Sequence, residues 1–209
     1  MHIHNKVISA VYKLLLIALV VLGIIESFRE SASVSPLRYF TMQCNILVGL
    51  VTLYLLLELR RRGEAYPRVR TYFRGLTMLA ISIAGIVFRI LLAPDYDHIG
   101  FANLVADQIV PIAFVLDWLL FDRKGALRFR DIPVWMIFPL AYVVINLITA
   151  LHDGFYPYPF MDVSLHGYGG VAVTVVLMVI AFSALGALYV GIDRLLSRRA
   201  RGAPAFRSG

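Results

Sequence analysis

Six runs of about 20 apolar residues divide this chain, and each is long enough for a helix to cross a bilayer. They cover roughly residues 7–25, 39–59, 72–93, 101–121, 132–151 and 169–192. Lipid offers no hydrogen bonds, so a crossing segment must satisfy its own backbone, and runs of this length predict helices. The expected fold is therefore all-α, an integral membrane bundle of six transmembrane helices. Hydrophobic residues make up 60% of the 209 positions, against about 45–50% in soluble domains. The first run is longer than a signal-peptide core and ends in Glu26-Ser27-Phe28 rather than a small-residue cleavage pattern, so it is expected to stay as a span. Residues 1–196 read as one membrane domain and 197–209 as a basic, disordered tail on the anionic inner leaflet.

A net charge of +7 raises the question of nucleic acid, but the basic residues sit between the spans and in the tail, where headgroups are their partners. No nucleic-acid module is present. Lys6 precedes the first span, Arg60, Arg61, Arg62, Arg68, Arg70 and Arg74 separate the second from the third, and Arg123, Lys124, Arg128 and Arg130 separate the fourth from the fifth. The opposite face holds only Arg29 and Arg38. Basic residues near span ends are retained in the cytoplasm, so both termini are expected there, in a multi-pass protein of the plasma membrane. The loops at 94–100 and 152–167 lack Lys and Arg and carry His98, His152 and His166. Tyr156-Pro157-Tyr158-Pro159-Phe160 alternates aromatics with rigid prolines, which suits either a lid or an aromatic belt.

The polar residues inside the spans are few. Asp107 lies four residues before Pro111, which has no N–H for the carbonyl of residue 107, so one turn is expected to expose a free acid and a free backbone acceptor. At about 1.5 Å of rise per residue, Thr41, Asn45, Arg89, Asn103 and Asp107 share one depth in the outer half of the membrane. They define a candidate pocket, with the histidine-bearing loops above it. Arg89 is expected either to pair with Asp107 or to snorkel to the headgroups. Nearer the inner face, Lys13 and Asp117 stand at matching depth and read as a structural ion pair. Ser183, Ala187 and Gly191 offer a small-residue seam at spacing four. Cys44 is the only cysteine, which leaves no disulfide framework and no metal-binding cysteine cluster. No phosphate loop, nucleophile elbow or His-Glu metal motif occurs, so neither a metal nor a cofactor is expected.

Several segments together resemble a known family: Tyr39-Phe40-Thr41-Met42-Gln43-Cys44-Asn45, Phe88-Arg89, Val110-Pro111, Leu116-Asp117-Trp118-Leu119-Leu120-Phe121, Tyr156-Pro157-Tyr158-Pro159-Phe160-Met161-Asp162-Val163 and Gly167-Tyr168. They look like a bacterial six-span membrane family related to the androgen-induced and androgen-dependent TFPI-regulating hydrolases of animals, and the likeness covers nearly the whole chain. The resemblance implies a threonine hydrolase of fatty-acid esters, with the nucleophile at the start of span two, where Thr41 stands. The animal proteins carry a histidine in span four shortly before a proline. Here that position is Asp107.

The expected activity is lipid-ester hydrolysis, with Thr41 as nucleophile and Asp107 as its base or the group that orients the base. Threonine needs such a partner, and a carboxylate in a water-poor site can serve. Asn45, Arg89, Asn103 and His166 are the candidates for holding a lipid-like or amphiphilic substrate. The alternatives are a transporter or binding protein for the same class of ligand, or a structural subunit whose polar groups only join helices. The orientation has its own test. Tags or single cysteines at residues 65 and 126 and at the C-terminus should be accessible only from the cytoplasm, and those at 97 and 156 only from outside. A map placing residues 65 and 156 on one side would overturn the layout.

Overall fold

The computed structural model describes residues 5–31, 35–59, 68–92, 94 and 100–202, with side chains as far as Arg198. Most of the basic loop at 60–67, the 95–99 stretch with His98, and the end of the tail at 203–209 lie outside the described residues. Six helices are long and apolar enough to cross a membrane: α1 (Lys6–Glu30), α2 (Phe40–Glu58), α3 (Arg68–Leu92), α4 (Phe101–Phe121), α5 (Phe129–Asp153) and α6 (Val163–Arg198). Among the described residues the regular structure is entirely helical.

Local chemistry explains the helix ends. The Asn5 side chain caps α1, its Oδ1 accepting from the Val7 and Ile8 amides at 2.9 and 3.3 Å, and so fills two of the donors that a helix start leaves open. The single turn Pro36–Arg38 leads into α2. Gly154, with φ of 69°, closes α5 by donating to the Ala150 carbonyl, a left-handed position that glycine adopts without strain. α6 starts on Asp162, whose Oδ1 accepts from the Ser164 amide at 2.8 Å, and it bends at Gly167, where φ is 65°.

Three further helices are irregular inside. Pro111 prevents a normal turn before it, and α4 widens into a π-helix over Leu104–Ile109. α3 ends in a second π segment, Phe88–Leu92. α5 breaks at Met136, three residues before Pro139, into Ile132–Trp135 and Ile137–Asp153.

The core lies among α1 to α4, and α3 is its most buried member. Glycines allow the closest approaches. A Cβ on Gly85 would lie 2.8 Å from the Asp107 carbonyl oxygen, and one on Gly75 would lie 2.1 Å from the Trp135 ring. α3 is thus pressed between α4 and the first turn of α5. The seam at Ser183, Ala187 and Gly191 is not the packed face of α6. Gly191 is exposed with nothing near it, while Phe182, Gly186, Tyr189, Val190 and Asp193 face inward, Gly186 against Ile132. Bulky aromatics, not small residues alone, set that contact. α6 also runs on as a helix through Gly202, into the stretch read as tail. The outward faces of α5 and α6 are apolar, with Val144, Ile145, Ile148, Val173, Val176 and Ile180 all exposed.

Candidate functional site

The two ends of the bundle carry different polar chemistry. At one end the start of α1, the end of α2, the start of α3 and the end of α4 meet in a buried ion-pair cluster. Lys13 Nζ lies 2.6 Å from Asp117 Oδ1, and Arg74 Nη2 lies 2.6 Å from Asp117 Oδ2. Arg74 Nε also faces Asp122 at 3.0 Å, and Arg70 joins Asp122 at 3.1 Å and Glu58 at 3.5 Å. Lys13, Arg74, Asp117 and Asp122 are each at most 1% exposed. Three cations thus meet three acids, and the cluster is neutral. Phe114 stacks under the Arg74 guanidinium, 4.2 Å away. Lys124 closes the end of α4 by donating to the Trp118 and Asp122 carbonyls. Burial lowers the Lys124 ammonium to about 8, against the pull of Asp122 and Asp193. Burial acts to raise Asp122, but Arg74 and Arg70 outweigh it and hold its carboxyl below the usual range.

The pairing of Lys13 with Asp117 is as expected from depth. Arg74 and Asp122 are additions. Arg74 was counted with the basic residues between the second and third spans because it stands near the start of the apolar run; the helix starts at Arg68 and carries Arg74 inside, where it is buried.

The opposite end holds a chamber of about 410 Å³. Its wall comes from the end of α1 (Gly23 to Ser31), the start of α2, Phe88 and Leu92 of α3, the start of α4, and the loop at 157–159. Thr41, Asn45, Asn103 and Asp107 all line it. Thr41 stands beside Asp107 and Tyr158 in this wall. Asp107 is 5% exposed, and its Oδ1 has no hydrogen-bond partner among the described residues.

Asn45 has a definite task. In the π register the Val110 amide bonds the Val105 carbonyl, and Pro111 has no N–H to give the next one. Asn45 Nδ2 takes the Ala106 carbonyl at 3.0 Å and its own-helix Thr41 carbonyl at 2.9 Å. The acceptor expected free at residue 107 is instead packed against Gly85, and the carbonyl that needs help is that of Ala106. Both Asn45 donors are engaged, which fixes its amide orientation and leaves the buried Oδ1 without a partner.

Two expected site residues stand elsewhere. Arg89 is exposed, lines no part of the chamber, and has no ion pair with Asp107. The π turn places Phe88 inward at 4% exposure and carries Arg89 around to the outer surface. His166 is exposed on the first turn of α6, before the Gly167 bend, and does not reach the chamber; His152 is also exposed.

The Tyr-Pro loop forms a wall. Tyr158 is buried, accepts the Phe40 amide on its hydroxyl at 3.0 Å, and stacks on Phe160 with centroids 5.2 Å apart. Because that oxygen accepts from the backbone, its own proton is left to donate. Arg38 anchors this loop to the start of α2 through an ion pair with Asp153 and a 3.2 Å bond to the Phe155 carbonyl. Behind Thr41 lies an apolar slot of about 50 Å³, lined by Phe40, Ile83, Val143, Met161, Met178 and Phe182, and it shares Thr41, Leu92 and Tyr158 with the wall of the chamber. Tyr158 was not among the expected site residues. The proline spacing was the available signal, but it could not show which ring turns inward.

No group of His, Cys, Asp and Glu suited to a metal ion occurs among the described residues. Comparison of the chain with known protein families, curated proteins and solved structures finds no match.

The two ends predict opposite responses to losing an arginine. Arg74→Gln leaves Asp117 and Asp122 short of a counter-charge and should cost about 3–5 kcal/mol of unfolding stability, the usual scale for breaking a buried pair. Arg89→Gln should stay within about 0.5 kcal/mol of the parent, as exposed substitutions do. Detergent or nanodisc unfolding of both variants checks this, and a large loss at Arg89 would place it in the core.

Proposed function

We propose that this chain is a multi-pass protein of the plasma membrane, with cytoplasmic termini, that hydrolyses lipid esters in a chamber open to the outer half of the bilayer. The observation that carries the reading is the placement of Thr41 and Asp107 together in the wall of a cavity at one end of the bundle. The apolar outer faces of α5 and α6 fit a lipid surrounding. The orientation rests on the distribution of Lys and Arg, and the hydrolase class on the resemblance of the Thr41 and Tyr-Pro segments to the animal threonine hydrolases.

In this mechanism Thr41 Oγ1 attacks the ester carbonyl carbon while its proton passes to Asp107. The developing oxyanion receives the Tyr158 O–H, a preorganised donor of the kind that stabilises such charge strongly in a water-poor site. As the C–O bond to the alcohol breaks, Asp107 returns the proton to the leaving oxygen. Water then cleaves the acyl-threonine by the same path and releases the acid. Asn45 holds the α4 backbone beneath Asp107 and so positions the base. Arg89 and His166 have no part.

A second reading is that the chamber only binds or passes an amphiphile. It is favoured by the unpartnered oxygens of Asp107 and Asn45 and by the absence of a histidine from the described lining.

Assays of the purified protein against a panel of lipid esters separate the two. Thr41→Ser should keep part of the activity and Thr41→Val should abolish it with folding intact. Tyr158→Phe should lower kcat by about 10²–10³, the loss typical of one oxyanion donor. Asp107→His restores the residue type of the animal hydrolases and should support turnover. A wild-type protein that turns over no ester, and whose Thr41 does not react with a fluorophosphonate probe, would leave ligand binding as the function.

A further inference from the structure

The end of the bundle that holds the ion-pair cluster carries more cations than its acids can match. Its described acids are all engaged. Glu58 pairs with Arg70, Asp117 with Lys13 and Arg74, Asp122 with Arg70 and Arg74, and Asp131 with Arg68 at 2.5 Å, while Asp193 accepts the Gly125 and Leu127 amides at 2.8 and 2.9 Å. Arg123, Arg128, Arg130, Arg194 and Arg198 are exposed at the same end, and none has an acidic partner among the described residues.

Arg128, Arg130, Arg194 and Arg198 gather at the foot of α5 and α6. The Asp193 carboxylate holds the turn before α5 on the last turns of α6, and Gly125, with φ of 88°, lets that turn lie so close that a Cβ there would come within 2.6 Å of Ser197 Oγ. Arg128 follows Leu127 and Arg194 follows Asp193, so the Leu127–Asp193 bond brings the two arginines' backbones together. The Arg194 guanidinium lies 4.5 Å from the Phe129 ring centroid, and Arg128 and Arg130 flank that ring in the chain. Arg198 stands one turn beyond Arg194 on the same face of α6. Phe129, Val134 and Leu195 add exposed apolar surface to this foot.

Guanidinium forks match the oxygens of a phosphate, and several together at the end of membrane-length helices suit a lipid headgroup. The exposed phenylalanine and aliphatic side chains beside them favour a ligand that brings its own apolar part over a water-soluble anion. We infer that the foot of α5 and α6 is a binding site for an anionic phospholipid, whose phosphate is held by Arg128, Arg130 and Arg194 with Arg198 adding charge, and whose glycerol and chain ends cover Phe129. The site lies at the opposite end of the bundle from the chamber. It stands whether or not an ester is cleaved there, and whichever side of the membrane this end faces.

The test uses full-length protein in a nonionic detergent, with thermal stabilisation titrated by phosphatidylglycerol, phosphatidylcholine, soluble glycerol 3-phosphate and a short single-stranded RNA. Phosphatidylglycerol should bind at least about tenfold tighter than each of the others. A basic residue near a charged headgroup contributes about fivefold, so Arg128→Gln, Arg130→Gln and Arg194→Gln together should weaken phosphatidylglycerol binding about 10²-fold. All three residues are exposed, so the fold should survive. Arg29→Gln with Arg89→Gln, exposed at the opposite end, should leave the lipid preference unchanged. The same loss per charge in that pair would mean a diffuse response to net charge and would overturn the site. Equal binding of the two phospholipids by the wild-type protein would overturn the proposal, and that comparison needs no variant to fold. Glycerol 3-phosphate binding as tightly as phosphatidylglycerol would remove the lipid from the assignment, and tighter binding of the RNA would give the patch to nucleic acid.

Discussion

The Asp117 carboxylate, shared between Lys13 and Arg74, joins three helices at one point and determines much of the rest. Between helices in lipid there is little hydrophobic driving force, because the tails are as apolar as leucine, and close packing and polar contacts must hold the bundle together. Here α1, α3 and α4 each supply a charge to a neutral cluster that is almost entirely buried. Removing one member leaves another charged and unpaired, a far larger cost than the pair's net contribution. The cluster therefore fixes which faces of α1, α3 and α4 meet.

With α4 fixed at that end, its other end can depart from regular geometry. Pro111 opens the π turn, Gly85 lets α3 approach the Asp107 backbone, and Asn45 supplies the hydrogen bond that the widened turn lacks at Ala106. π segments inside helices are frequent at functional sites, and this one presents Asp107 to the chamber beside Thr41. In α3 the π segment has Phe88 buried and Arg89 exposed, and no described residue of the chamber lining is a Lys, Arg or His. The Tyr-Pro loop completes the wall because Arg38 holds the loop against the start of α2.

The six long apolar helices were legible from the lengths of the apolar runs, and the level of each polar residue along its helix followed from helical rise. That reasoning brought Thr41, Asn45, Asn103 and Asp107 to one level, and they do share one cavity. Azimuth was not legible. Phe88 faces inward in the π segment that ends α3, and Arg89 beside it faces out. His166 failed for a similar reason, since the bend at Gly167 separates it from the span. Arg74 shows the converse: charges at a helix start hide the start, and a residue counted with a loop proves to be buried. Tyr158 was present in a visible motif, yet only the packing of the loop distinguishes it from its neighbours.

The two ends of α4 differ: Asp117 is tied into the ion-pair cluster, while Asp107 has no described cation beside it. The most direct measurement is the unfolding free energy of Asp117→Asn and Asp107→Asn in the same lipid environment. Asp117→Asn should lose about 3–5 kcal/mol, because Lys13 and Arg74 remain buried around a neutral amide. Asp107→Asn should stay within about 0.5 kcal/mol of the parent or become more stable, since it removes a buried carboxylate that no described cation balances. An Asp107→Asn protein as destabilised as Asp117→Asn would mean that Asp107 holds helices together, and the reading of the chamber as a functional site would be wrong.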